Sequence, residues 1–200
     1  MPFNIITVNL RLTMNCVTLN QAVNLIKQGE VLAYPTEAVW GLGCDPYKQN
    51  AFDKILKLKQ RPLEKGVILV AASMAQAAPF LQGLSDEQLK KMQDSWQINA
   101  EERATTWLVP LNAAVPTWIS GQHDRVAIRV TNHPLVQQLC NAFGGAIVST
   151  SANPAGLDAA KTASEVNHYF PNLAILNGEL GKSSEPSRII DSQTGEVIRA

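Results

Sequence analysis

The chain has 200 residues, 46% of them hydrophobic and 17% charged, and its 17 Lys plus Arg balance its 17 Asp plus Glu. These proportions describe one lightly charged globular domain with room for a substantial core, and the zero net charge excludes a net basic field for gripping nucleic acid, leaving at most a local patch. Cys16, Cys44 and Cys140 are odd in number, far apart and without a CxxC, which argues against a disulfide framework or a zinc site and for a reducing cytosol.

Residues 1–16 alternate weakly at Ile6, Val8, Leu10 and Leu12, a pattern open to an edge strand or a loose extension. They lack a charged start, a long apolar run and a cleavage site, so they do not read as a secretory signal. Thr18 to Lys27 predicts a helix, with Leu19, Ala22, Val23 and Ile26 on one face, Thr18 and Gln21 as a capping box and Gly29 as the stop.

Val31 to Tyr34 is a short buried strand by composition, and Pro35, with no N–H, should end its ladder. Thr36 and Glu37 follow at the strand's carboxyl end, where open α/β sheets keep ligands. Gly41, Gly43 and Pro46 crowd the next positions, implying positive φ or close backbone approach. The stretch is either a plain Gly-rich turn or a substrate loop.

Ala51 to Lys59 predicts a helix with Phe52, Ile55 and Leu56 inward, and Pro62 blocks its continuation. Val67 to Ala71 is a strand; the run Val67 to Ala72 is the longest apolar one, far short of the ~18 residues of a membrane span. Ser85 to Asp94 is a helix boxed by Ser85 and Gln88. Thr105 to Leu111 and Val126 to Val130 are strands, and Pro134 opens a helix through Phe143 that Gly144 and Gly145 close. Ala146 to Ser149 is a strand, Thr162 and Glu165 cap a helix to Phe170, and Leu173 to Leu176, Ser187 to Asp191 and Glu196 to Arg199 are short strands. This mixture predicts an α/β or α+β fold, a twisted open mixed sheet with helices against it.

Three polar groups stand out. Lys59, Arg61 and Lys65 are either helix-end cations that complement a dipole or a polyphosphate site, in which Arg offers a bidentate fork and Lys a mobile charge. Ser151 and Asn153 follow a strand and form either an ordinary turn or a phosphate-facing one. Ser187, Arg188 and Arg199 form the third group. Gly181-Lys182-Ser183 is not a P-loop, because the motif's first glycine would fall on Leu176 and Pro186 comes too soon for its helix. His123, His133 and His168 have no ligand spacing, and no metal site is expected.

These residues carry a resemblance. Tyr34-Pro35-Thr36-Glu37-Ala38-Val39-Trp40-Gly41-Leu42-Gly43, Lys59-Gln60-Arg61, Val126-Ala127-Ile128-Arg129 before His133-Pro134, Ser151-Ala152-Asn153 and Pro186-Ser187-Arg188-Ile189-Ile190-Asp191 occur in the order seen in the YrdC-like threonylcarbamoyl-AMP synthases, in their short, single-domain bacterial form. The resemblance implies one catalytic domain over residues 14–200 behind an extension of residues 1–13. It implies an α/β YrdC-like fold around a concave basic cleft.

It also implies an enzyme that joins L-threonine, bicarbonate and ATP, with Mg²⁺ accompanying the ATP, into threonylcarbamoyl-adenylate and pyrophosphate. The adenylate would serve downstream threonylcarbamoyl-transferase proteins that modify tRNA. Lys59, Arg61, Ser151 and Asn153 would be catalytic and, with Lys65 and Arg199, hold ATP. Thr36, Arg129, Ser149 and Ser187 would hold threonine. Binding of tRNA or double-stranded RNA is a further implication, and an RNA-binding module without catalysis is the alternative. A cytoplasmic protein with no membrane partner is expected. Val70, Arg125 and the segment from Trp96 to Arg103 depart from the family's usual residues.

Overall fold

The computed structural model describes residues 14–62, 64–97 and 103–200, so the extension of residues 1–13 and residues 98–102 of the departing segment lie outside the described residues. The chain opens with β1 (Asn15–Val17) and α1 (Leu19–Gln28), where Thr18 and Gln21 form the capping box and Gly29, at φ 84°, ends the helix. β2 (Leu32–Pro35) and β3 (Trp40–Gly43) follow as an antiparallel hairpin. Next come α2 (Gln49–Lys59), β4 (Ile68–Ala71), α3 (Met74–Ala77) with a 3-10 turn at Ala78–Leu81, and α4 (Asp86–Trp96). β5 (Thr105–Pro110), β6 (Arg125–Val130), α5 (Pro134–Phe143), β7 (Ile147–Ser151), α6 (Ala163–Tyr169), β8 (Ala174–Leu176), β9 (Arg188–Asp191) and β10 (Val197–Arg199) complete the fold.

Pro35 is the last residue of β2 and the last rung of its ladder, opposite Trp40, as its missing N–H predicts. The glycines at 41 and 43 adopt no positive φ and sit in β3 rather than in a turn. Close approach is what they provide: a Cβ at Gly43 would lie 2.5 Å from the Val148 carbonyl oxygen and 2.7 Å from the Tyr34 ring. Met74–Ala77 and the turn after it are too short to carry a helical period, so their apolar residues do not announce them.

Among the described residues ten strands form one mixed sheet in the order β1-β8-β2-β3-β7-β4-β6-β5-β9-β10. Strand alternation divides the core in two. On one face, Trp40, Leu42, Leu69 and Val148 pack against Phe52 and Ile55 of α2, Met92 of α4 and Val166 of α6. On the other, Tyr34, Val70 and Ile147 pack under Val23 and Ile26 of α1 and Val136 and Leu139 of α5. Val70, the departing position, is thus fully buried core.

Helices α1 and α5 cover only part of that second face. Beyond them the registered row Ser149–Ile68–Ala127–Leu108–Asp191 crosses β7, β4, β6, β5 and β9 and forms the floor of an open cleft. Every link of this placement follows from period-two alternation and the register of the ladders.

Candidate functional site

The cleft encloses about 660 Å³. Thr36, Arg61, Arg129, Ser149, Ser151, Asn153, Ser187 and Arg199 line it; Lys59 and Lys65 do not. Its charges are sorted rather than uniformly basic, since Glu37, Asp124, Glu185 and Asp191 stand beside Arg61, Arg125, Arg129 and Arg199.

At one end, α2 delivers Lys59 inward. The residue is only 3% exposed, and its ammonium donates to the Ser151 carbonyl, to the Asn153 carbonyl at 2.9 Å and to Asn153 Oδ1 at 3.1 Å. Ser151 Oγ donates to the same Oδ1 at 2.6 Å, and Asn153 Nδ2 reaches the Leu157 carbonyl at 2.7 Å. Lys59 therefore clamps the turn from behind. Burial first, and then neighbouring Arg61, lower its pKa to about 8.

Arg61 leaves α2 after Gln60, whose φ of 50° turns the chain. Its Nε donates to the Lys65 carbonyl at 3.2 Å and its Nη2 to the Gly66 carbonyl at 2.7 Å, while burial lowers its pKa. Lys65 contributes that carbonyl, and the residue itself is exposed. Among the described residues, neither Arg61 nor Arg199 has a carboxylate partner. They are the cleft cations left to meet an anion.

In the middle, Thr36 and Ser149 flank Gly41: a Cβ there would lie 3.2 Å from Thr36 Cγ2 and 3.5 Å from Ser149 Oγ. The missing side chain is the space between the Thr36 methyl and the Ser149 hydroxyl. Thr36 donates its proton to the Val39 carbonyl at 2.7 Å, which leaves its oxygen able only to accept a further hydrogen bond.

Arg129 is buried at 6% exposure and its Nη1 donates to Glu37 Oε2 at 2.6 Å. Thr131 donates to Glu37 Oε1, also at 2.6 Å. Burial pushes the Glu37 carboxyl up, but Arg129 and the Thr131 hydroxyl outweigh it and hold the pKa below its ordinary value. Arg129 is therefore not a lone cation: one arm of its fork is committed.

Ser187 stands apart from Ser149 and beside Arg199. Its Oγ lies 2.7 Å from Thr106 Oγ1, and its carbonyl accepts both Nε and Nη2 of Arg199 at 3.0 and 2.6 Å. β7, which carries Ser149, and β9, which follows Ser187, are four strand spacings apart, roughly 19 Å on a flat sheet. Arg125, which opens β6, is tied to Asp124 at 2.8 Å, Gln193 at 2.7 Å and Asp191 at 3.4 Å, so that position of departure has become a closed network.

Thr131 and Thr106 are the residues that sequence reasoning passed over, and Glu37, which it placed at the end of its strand, it gave no role in the site. Glu37 stands inside the quoted signature, and a carboxylate in an otherwise apolar stretch is the signal that could have found it. Thr131 and Thr106 carry no such mark. Among the described residues no group of three or more His, Cys, Asp or Glu could hold a metal ion, and no helix is long and apolar enough to cross a membrane.

Comparison with known proteins adds an independent line. The model of the Sua5, YciO and YrdC protein family, described as "Telomere recombination", matches residues 24–200. A threonylcarbamoyl-AMP synthase of Acinetobacter baylyi is 57% identical over 182 residues, covering 90% of this chain and 95% of that protein. One of Cellvibrio japonicus is 48% identical over 182 residues, covering 90% and 94%. The crystal structure of Pyrococcus abyssi Sua5 complexed with L-threonine superposes with a TM-score of 0.78 at 27% identity, over 86% of this chain and 50% of that one, so the chain spans about half the length of that protein.

Proposed function

The chain belongs to the Sua5/YciO/YrdC family, and on that premise we propose that it is a threonylcarbamoyl-AMP synthase, a nucleotidyltransferase that makes threonylcarbamoyl-adenylate and pyrophosphate from L-threonine, bicarbonate and ATP. The observation that carries this is the 57% identity to the Acinetobacter baylyi synthase across 95% of its length. The cleft agrees with it: one open face holds two carboxylate-free arginines at separate places, Thr36 and Ser149 on either side of Gly41, and a buried arginine.

The chemistry sets the division of labour. The threonine amine and bicarbonate give a carbamate and water; a carbamate oxygen attacks the α-phosphorus, and the bond to the bridging oxygen breaks to release pyrophosphate. Both partners are anions, so the protein must neutralise charge and align them, and the carbamate needs no dedicated base. Arg61 and Arg199 would meet the phosphates, with the Ser151–Asn153 turn presenting its polar groups beside Arg61. Lys59 would act through that turn, holding it from behind. Thr36, Ser149 and the free arm of Arg129 would hold threonine, with Ser187 contributing from the Arg199 side. Mg²⁺ would arrive with ATP.

The product would be passed in the cytoplasm to transferase proteins that modify tRNA. The decisive assay is pyrophosphate release from ATP by the purified chain, which should require both threonine and bicarbonate. Release that ignores threonine, or none at all, would overturn the reading.

A further inference from the structure

The segment joining β8 to β9 takes the long way. Its two strands are second and ninth in the sheet, with six strands between them. Seven spacings of about 4.8 Å amount to roughly 34 Å on a flat sheet. The twelve steps from Leu176 to Arg188 reach at most roughly 43 Å. Residues 177–187 therefore have little slack and must run across the face that carries the cleft.

Both ends of this strap are tied. Near its start, the Gly181 N–H donates to the Thr36 carbonyl at 2.9 Å and the Ser183 N–H to the Glu37 carbonyl at 3.1 Å. His133 Nε2 lies 2.9 Å from the Glu179 carbonyl. A Cβ on Gly181 would fall 2.8 Å from both the Cα and the carbonyl oxygen of Glu37, contacts that only backbone movement could relieve. Near its far end, Glu185 pairs with Arg103 at 2.8 Å, and Pro186 accepts from the same arginine. Glu185, Pro186 and Ser187 then line the cleft itself.

We propose that this strap is a positioning device for the amino-acid half of the site, working through Gly181 on Glu37 and through Glu37 on Arg129; this rests on the threonine-binding role given above to Thr36 and Arg129. Gly181-Lys182-Ser183, which is no P-loop, owes its glycine to this contact. Backbone bonds to residues 36 and 37 set where the Glu37 carboxylate stands. That carboxylate, also fixed by Thr131, commits one arm of the Arg129 fork and aims the other. Gly181 and Glu37 are positioning residues; neither need touch the substrate.

The test compares Gly181→Ala, Glu37→Gln, Glu37→Asp and the double variant Gly181→Ala/Glu37→Gln. Displacement of a binding group by a fraction of an ångström should raise the KM for threonine by about tenfold or more and leave that for ATP within about twofold. The double variant should be no worse than its more severe parent, since both changes act on one contact. Glu37→Asp withdraws the carboxylate by one methylene while keeping its charge, and it reads the same contact if Gly181→Ala does not fold. Additive effects, parallel loss of threonine and ATP, or normal threonine dependence in the single variants would each overturn the proposal. Calorimetric titration with threonine separates this from the enzyme reading. If the wild-type chain binds threonine but releases no pyrophosphate, unchanged threonine affinity in Gly181→Ala still overturns the strap's role, and weakened affinity supports it.

Discussion

Lys59 Nζ donates to Asn153 Oδ1 at 3.1 Å, tying the last residue of α2 to a turn 94 positions away. The ammonium is surrounded by neutral oxygens of that turn. Replacing Lys59 with Met should leave buried acceptors unpaired at a cost of roughly 1–3 kcal/mol. Adenylate formation should fall with it, because the Ser151–Asn153 turn loses its support. Lys59→Arg should not rescue, since a planar fork does not fit a pocket shaped for a point charge. Urea unfolding and pyrophosphate release on the three proteins check this.

The same lysine predicts a pH signature. Its folded-state pKa of about 8 lies below the ordinary 10.5 because of burial and Arg61. Between those values the unfolded chain carries a proton that the folded chain lacks, so stability from this group rises with pH through that window. Below about 8 the cost of burying the charge is fully present. The stability of wild type relative to Lys59→Met should therefore increase from pH 8 to pH 10, while activity declines as the clamp loses a donor. Urea midpoints for both proteins across that range would show it, and parallel curves would refute it.

Arg61 and Arg199 should carry the anion. Removing one charge-assisted contact typically costs ~1.5–3 kcal/mol, so Arg61→Ala or Arg199→Ala should raise the ATP requirement about tenfold or more with threonine dependence little changed. Steady-state kinetics at varied ATP measure it. Wild-type behaviour in both would return Arg61 to holding the Lys65 and Gly66 carbonyls and Arg199 to holding Ser187.

Gly41 should gate the amino acid. Its added methyl would sit between Thr36 and Ser149, so Gly41→Ala should weaken threonine before ATP. In the wild type, serine lacks only a methyl, worth roughly 1–3 kcal/mol, and should work weakly. Valine lacks the hydroxyl and should not work detectably, because pocket groups would be left unpaired. Amino-acid-dependent pyrophosphate release ranks them; equal rates for valine and threonine would remove the pocket assignment.

A chain beginning at Met14 should retain turnover. It keeps β1, whose Asn15, Cys16 and Val17 pair in parallel with Ala174, Ile175 and Leu176. Turnover per mole of the shortened and full chains is the measurement, and a folded but inactive short chain would count against the expectation.

What the sequence determined by itself was whatever acts over a few residues. Thr18 with Gln21, Ser85 with Gln88 and Thr162 with Glu165 cap their helices as their spacing predicts, because a capping box closes within one turn. The buried strands announce themselves as apolar runs for a similarly local reason. The motifs at Thr36, Arg61, Ser149, Ser151 and Arg129 marked one cleft because their order along the chain was enough to compare. Only the tertiary structure decided how those groups are used. Whether Lys59 faces a ligand or a turn depends on burial by residues 92 and 94 positions later. That Arg129 is half-committed depends on Glu37, again 92 positions away. That Gly41 and Gly43 serve a strand packed against Ser149, Val148 and Tyr34, rather than a flexible turn, depends on which strand lies beside them. Charge pairing and close packing are set by neighbours in space, and no local pattern encodes which neighbours those are.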